Sequence, residues 1–505
     1  MSRPRPRMGG RLKLAVALGF LLAPAPAAAL DFQILESGDF SPLRARMDGL
    51  APGSPGRKDL EAVIALYQGD LDRAGSLFAP DSPARDPGVE WLRTYAAAVS
   101  PLRRGMTVSE SEHFILRTPP GEDFLARYAL DALEKAYGET GKDLGLRPEG
   151  KVPVDIYGSE EDFSLASTLT REDLDRSGAI GICKFRRLMI LSPRRLAFGY
   201  RWLDTLAHEY VHYVINAKSR GLCPLWLHEG IARYLDTRWR LAAPQYLIPG
   251  NRTELARALK KDGLVPFSRM EPSMVYLDGQ EQVRLAFSQV SHAVHMIVAT
   301  EGPSAIREIL EELAGGRSRA EAFRKVLGRN DEQFEKDWKV FLAEEDLAES
   351  PGAAPDAVRF GQADEINQYV GVGLRGHIRL GDRLRRKGLA EAALVQYGKA
   401  AGSEPFNPVA LTNSARALLA LGRGGQAVDA LKVCVRENPN YLPAFLLLGQ
   451  EMERAEEFGE ALRNYRECAA INPFDPRVHE GIVRAAEALG LKEEAERSRE
   501  ILRKL

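Results

Sequence analysis

The sequence predicts a multidomain fold, an α+β domain followed by an all-α solenoid of helical repeats. Three observations carry that expectation. Toward the C-terminus, residue types return with a fixed period of 34. Upstream of the repeats, short β-type runs give way to longer helical ones. One of those helical runs, "TLAHEYVHYVI" (205–215), contains His-Glu-x-x-His. A chain of 505 residues has room for roughly two to four domains. Its 45% apolar and 28% charged residues are those of an ordinary globular protein. A formal net charge of −1 gives no basic field, so nucleic acid is not an expected partner.

Taken in order, residues 1–29 read as a signal peptide. "MSRPRPRMGGRLK" holds Arg3, Arg5, Arg7, Arg11 and Lys13 and no acid; the apolar run Leu14–Ala23 follows, then "PAPAAAL". A basic head, a short apolar core and a small-residue ending place cleavage after Ala29. A membrane anchor needs about 20 apolar residues, and Pro24 interrupts this run well short of that. No later stretch is long and apolar enough to span a bilayer. The expected localisation is therefore exported, periplasmic or extracellular, with no membrane span after signal removal.

Residues 30–105 form an expected N-terminal helical region, in which "DLEAVIALYQGDLDRAGSLF" (59–78) reads as one helical hairpin. Residues 106–345 form the α+β domain. "SEHFILRT" and "KVPVDIYG" are β-type runs separated by an amphipathic stretch, Phe124 to Leu144. "GAIGICKFRRLMILSP" (178–193) reads as two strands joined by a tight link, with "LMILSP" the candidate sheet edge. Helical pattern takes over from about Trp202. Residues 346–373, including "LAESPGAAPDAVRFGQ" (347–362), are rich in Pro, Gly and Ala and read as a linker.

In residues 374–505, Pro405, Pro439 and Pro473 are spaced by 34, and Ala393, Ala427, Ala461 and Ala495 keep the same period. Gly388, Gly422 and Gly490 each precede one of those alanines by five, with Glu456 in the equivalent place of the third unit. Small residues let paired helices approach and proline ends the second helix of a pair, so this segment resembles tetratricopeptide repeats. Such arrays form curved solenoids whose concave face takes an extended peptide or a partner protein; packing against a neighbouring domain is the plainer role. Cys434 and Cys468 fall at equivalent repeat positions and read as packing residues. Export would permit Cys183 and Cys223 to pair, which the sequence leaves open.

Helical spacing sets His208 and His212 one turn apart on one face, where both imidazoles reach a single cation. Glu209, one residue round, is placed to take a proton from water rather than to ligate. A third ligand is needed. "PLWLHEGIARYLD" (224–236) offers Glu229, 17 residues after His212 on a second helical run opened by Pro224, with the adjacent His228 as the alternative.

His-Glu-Tyr-Val-His followed by Trp226-Leu227-x-Glu229-Gly230 resembles the gluzincin (thermolysin-like, peptidase MA-like) zinc metallopeptidases. The resemblance implies that His208, His212 and Glu229 ligate Zn2+ and that Glu209 is the general base and acid. It also implies an extended protein or peptide substrate added as a strand to the sheet edge. Two places depart from the family. Its aspartate four residues after the ligand glutamate is here Arg233, with Asp236 the nearest acid. A tyrosine that such relatives carry in a later helix is here Phe287, leaving Tyr200, Tyr276 or His292 as candidate oxyanion donors. His292 and His295 otherwise read as structural histidines. The expected protein is an exported zinc metallopeptidase whose repeat tail binds a partner or substrate. The alternative is a repeat adaptor with a weak or inert peptidase-like domain.

Overall fold

The computed structural model describes residues 30–78, 86–271, 273–274, 277–345, 347–358, 360 and 364–505. The expected signal peptide, and Tyr276 among the candidate oxyanion donors, lie outside the described residues. The chain divides into two compact units. One gathers residues up to Leu191 with Asp204–Tyr246 and Val265–Phe341; the other gathers Ser192–Leu203, Leu247–Leu264 and Leu342–Leu505.

The first unit is built on one five-stranded sheet. Its strands are β1 (Thr107–Glu110), β2 (Phe114–Thr118), β3 (Val152–Tyr157), β4 (Gly181–Lys184) and β5 (Arg187–Leu191), in the order β1-β2-β3-β5-β4. β2, β3 and β5 run parallel, while β1 and β4 are antiparallel edges. All residues of β3 and β5 are buried, as expected of central strands covered on both faces. The edge expected at "LMILSP" is thus an inner strand, and the neighbouring "GICK" is the true edge. Four apolar residues in a row mark burial, not position in the sheet. β1 carries no apolar alternation and is largely exposed, so nothing in its sequence marks a strand.

Five helices of this unit matter below: α1 (Phe32–Ser37), α2 (Leu125–Leu144), α3 (Trp202–Ser219), α4 (Leu225–Leu235) and α5 (Gln280–Glu301). α2 joins β2 to β3 and buries Leu125, Ala129, Ala132, Leu133, Ala136 and Leu144 along one stripe. The expected hairpin over 59–78 is present as helices Pro55–Tyr67 and Leu71–Leu77. A buried ion pair ties this N-terminal region to the sheet. Arg103 donates to Asp155 of β3 at 2.7 Å and to the Gly69 carbonyl at 2.8 Å.

The second unit holds helix pairs that begin at Arg375, Pro408, Leu442 and Pro476 and end at Leu502. Ala393, Ala427, Ala461 and Ala495 are all fully buried where paired helices meet. Tyr465 lies against Gly449 and Gly481, where any side chain would collide with its ring. Part of the expected linker is fixed rather than free. Ser350 donates to Glu437 at 2.7 Å, and the Ala354 N–H donates to the Asn438 side chain at 2.8 Å. The segment before α3 also belongs here: the Tyr200 N–H donates to the Ile471 carbonyl at 2.9 Å, and Trp202 Nε1 to the Ala469 carbonyl at 3.2 Å. Among the described residues no helix is long and apolar enough to cross a membrane.

Candidate metal site

α3 buries Leu206, Ala207, Tyr210, Val211, Val214 and Ile215, which fixes its rotation and turns His208 and His212 to one side. α4 starts directly after Pro224 and buries Trp226, stacked on Phe267 at 4.9 Å. Gly230 lets α4 close on α5, since a Cβ there would fall 2.6 Å from the Val290 carbonyl oxygen. These contacts set Glu229 opposite the two histidines.

The resulting group is tight. His208 Nε2 and His212 Nε2 are 3.1 Å apart, and Glu229 Oε2 stands 3.5 Å from the first and 3.3 Å from the second. One ligating atom from each of these residues lies within 4.8 Å of the others. Tetrahedral zinc with ligands at about 2.0–2.1 Å separates neighbouring ligand atoms by about 3.3–3.4 Å. The observed edges match that triangle, so the residues present fit such an ion.

Carboxylates surround the two histidines, so positive charge among them, whether a proton or a metal ion, is favoured. Burial alone would lower the pKa of His208, but Asp236, Glu229 and Glu209 outweigh it and push it up to about 10. Burial likewise opposes ionisation of Glu229, and the two histidines still hold its carboxyl well below the usual range. Asp236 answers one of the departures noted in the sequence. It lies two turns beyond Glu229 and is buried, with Oδ2 3.6 Å from His208 Nδ1 and 3.0 Å from Arg233 Nη1. Arg233 thus fills the place expected of an acid and neutralises the acid that lies beside His208.

His228 is not a ligand in this arrangement. Its Nε2 meets the Asn216 side-chain oxygen at 3.1 Å, and its ring stacks on His212 with centroids 4.4 Å apart. Burial, then the charge of His212, lowers its pKa to about 3, so it stays neutral. His292 is fully buried and accepts from Trp338 Nε1 at 3.1 Å, a structural role. Tyr200 falls in the second unit. All four cysteines are free thiols, Cys434 and Cys468 buried between helices and Cys183 and Cys223 unpaired with each other.

Glu209 is only 4% exposed, and burial raises its carboxyl pKa against the pull of His212 and His208. Its carboxylate lies on the edge strand β4. A Cβ on Gly181 would fall 2.5 Å from Glu209 Oε1 and 2.8 Å from Thr205 Cγ2. Spacing on α3 pointed to His208, Glu209 and His212; nothing local pointed to Gly181, whose role exists only once β4 meets α3.

Residues 129–344 match the family model of the Peptidase MA superfamily, a group generally dependent on a metal. Small glutamine-rich tetratricopeptide repeat-containing protein 2 of Mycosarcoma maydis is 28% identical over 98 residues, 19% of this chain. The chain spans only 28% of that curated relative's length. Among solved structures, a crystal structure of MamA is 24% identical, covering 26% of this chain and 77% of its own, with a TM-score of 0.25. The first TPR of Spaghetti (RPAP3) bound to an HSP90 peptide is 22% identical, covering 23% of this chain and 93% of its own, with a TM-score of 0.23. The chain thus carries a region that matches the Peptidase MA superfamily model and, toward its C-terminus, helix pairs that recur about every 34 residues.

Proposed function

We propose that this chain is an exported zinc metallopeptidase of the gluzincin type, with a repeat tail that binds a protein partner or substrate. The observation that carries the reading is the triangle of His208, His212 and Glu229 with the buried carboxylate of Glu209 beside it. Zinc held by those three residues supplies a Lewis acid and lowers the pKa of a water toward neutrality. Glu209, with a carboxyl pKa raised by burial, is suited to accept a proton from the attacking water and return it to the leaving nitrogen. Asp236, 3.6 Å from His208 Nδ1, places a carboxylate near the ring nitrogen of His208 that faces away from the ligand triangle. β4 is an edge strand, and its outer side, where the Cys183 backbone meets Glu209, is where an extended peptide would pair as an added strand. Export rests on the composition of residues 1–29 alone.

Glu209→Gln tests the reading. The variant is expected to keep its zinc and lose hydrolysis of a casein panel. Equal cleavage by variant and wild type would remove Glu209 from the chemistry. It would leave the adaptor reading, in which the repeats carry the function.

A further inference from the structure

The link between β4 and β5 has only two residues, Phe185 and Arg186, and both lie in the left-handed region, with φ of 55° and 51°. A two-residue hairpin turn with positive φ at both positions is ordinarily built from Asn-Gly or its kin. Neither residue here is of that kind, so the conformation must be imposed from outside the turn.

α1 imposes it. Glu36, near the end of that helix, accepts the backbone N–H of Phe185 at 2.7 Å and of Arg186 at 3.0 Å on its two carboxylate oxygens. The Phe185 ring is held by Tyr95 at 4.6 Å, Tyr67 at 5.8 Å and Trp91 at 5.9 Å. The Arg186 guanidinium lies over the Tyr213 ring of α3 at 4.6 Å and donates to its hydroxyl. The same short segment reaches the loop between the two histidine- and glutamate-bearing helices. Asp39 pairs with Arg220 at 2.8 Å, and a Cβ on Gly221 would fall 2.6 Å from the Gln33 carbonyl oxygen.

Register gives this clamp its consequence. The tight turn pairs Lys184 with Arg187 and Gly181 with Ile190. Sliding β4 by one residue would turn every side chain to the opposite face, and the space Glu209 occupies over Gly181 would be lost. We propose that Glu36 is a positioning residue: by holding the left-handed turn it fixes the register of β4 against Glu209. This inference rests on the metallopeptidase reading for its effect on turnover, but not for its effect on the strand.

The test uses the full-length protein and compares wild type, Glu36→Gln, Arg186→Gly and the double variant. Zinc content, amide hydrogen exchange of residues 181–184, and kcat and KM on casein are measured for each. Glu36→Gln is expected to keep its zinc, to exchange those amides about tenfold faster and to lose about tenfold in kcat, as charge-assisted bonds are lost. Glycine enters the left-handed region unaided, so the double variant, which keeps Phe185 left-handed and gives up the Arg186–Tyr213 contact, is expected to recover part of both losses. Unchanged exchange in Glu36→Gln, or a double variant no better than the single one, would overturn the proposal. Should Glu36→Gln not fold, Arg186→Gly must make the loss of Glu36 tolerable, and a double variant that also fails would overturn it equally. If wild type cleaves nothing, the peptidase reading fails while the exchange data still decide the role of Glu36.

Discussion

Two of the regions that enter the left-handed backbone region, the repeat turns and the β4–β5 hairpin, do so by opposite means. In the repeats it closes each helix pair, at Gly388, Gly422 and Gly490 with φ of 76°, 74° and 72°, and at Glu456 with 60°. Three of those four positions hold the residue that adopts the conformation without steric cost. In the β4–β5 hairpin the same region is occupied by Phe185 and Arg186, and the conformation depends on Glu36, about 150 residues upstream. The repeat turns are local and nearly self-sufficient; the hairpin turn is held by tertiary contacts. The first arrangement suits a scaffold that repeats, the second a strand whose placement matters to one carboxylate.

Among changes to these two regions, the largest effect should come from disturbing the strand where it meets that carboxylate. Gly181→Ala adds a Cβ 2.5 Å from Glu209 Oε1, which must displace either the strand or the base. Turnover is expected to fall about a hundredfold, the scale of a 1 Å misplacement, with zinc content unchanged. Loss of zinc in this variant would show that the glycine supports the ligands rather than Glu209.

A smaller effect is expected from Lys184, which ends β4 and donates to Thr168 at 2.6 Å. Burial lowers its ammonium pKa to about 8, against the pull of Glu36. The folded value lies below the unfolded one, near 10.4, so folding is penalised fully below about 8 and the penalty fades as pH rises toward the unfolded value. Lys184→Met should raise Tm at neutral pH, and the gain should shrink toward pH 10. A gain independent of pH would assign it to packing. The smallest effect lies in the repeats. Glu456→Gly should stabilise the protein by about 0.5–1 kcal/mol, since the relief of a left-handed side chain exceeds the added chain entropy. Urea midpoints read this directly, and no change or a loss would mean that Glu456 is held by contacts, like the hairpin turn.

The same contrast explains which features are legible in the sequence. The repeat period, the buried alanines and the odd residue Glu456 were visible because each repeat is shaped by its own residues. Helical spacing selects His208 and His212 and a short return brings Glu229 or His228 within reach, while the choice of Glu229 rests on the resemblance to the gluzincin motif. Asp236 was harder, since its partner Arg233 occupies the place where an acid was expected. Gly181, Glu36 and the true sheet edge carried no local mark, because each acquires its meaning from an element distant in the chain. The linker misled for the same reason: Ser350 and Ala354 have a loop composition, yet find partners in Glu437 and Asn438.

A zinc ion held by His208, His212 and Glu229 is what the proposed function rests on. Elemental analysis of the purified protein, beside a His212→Ala control, tests it most directly. About one zinc per chain is expected in the wild type and none in the control. Wild-type protein that takes up no zinc after reconstitution, or a control that binds as much, would contradict it.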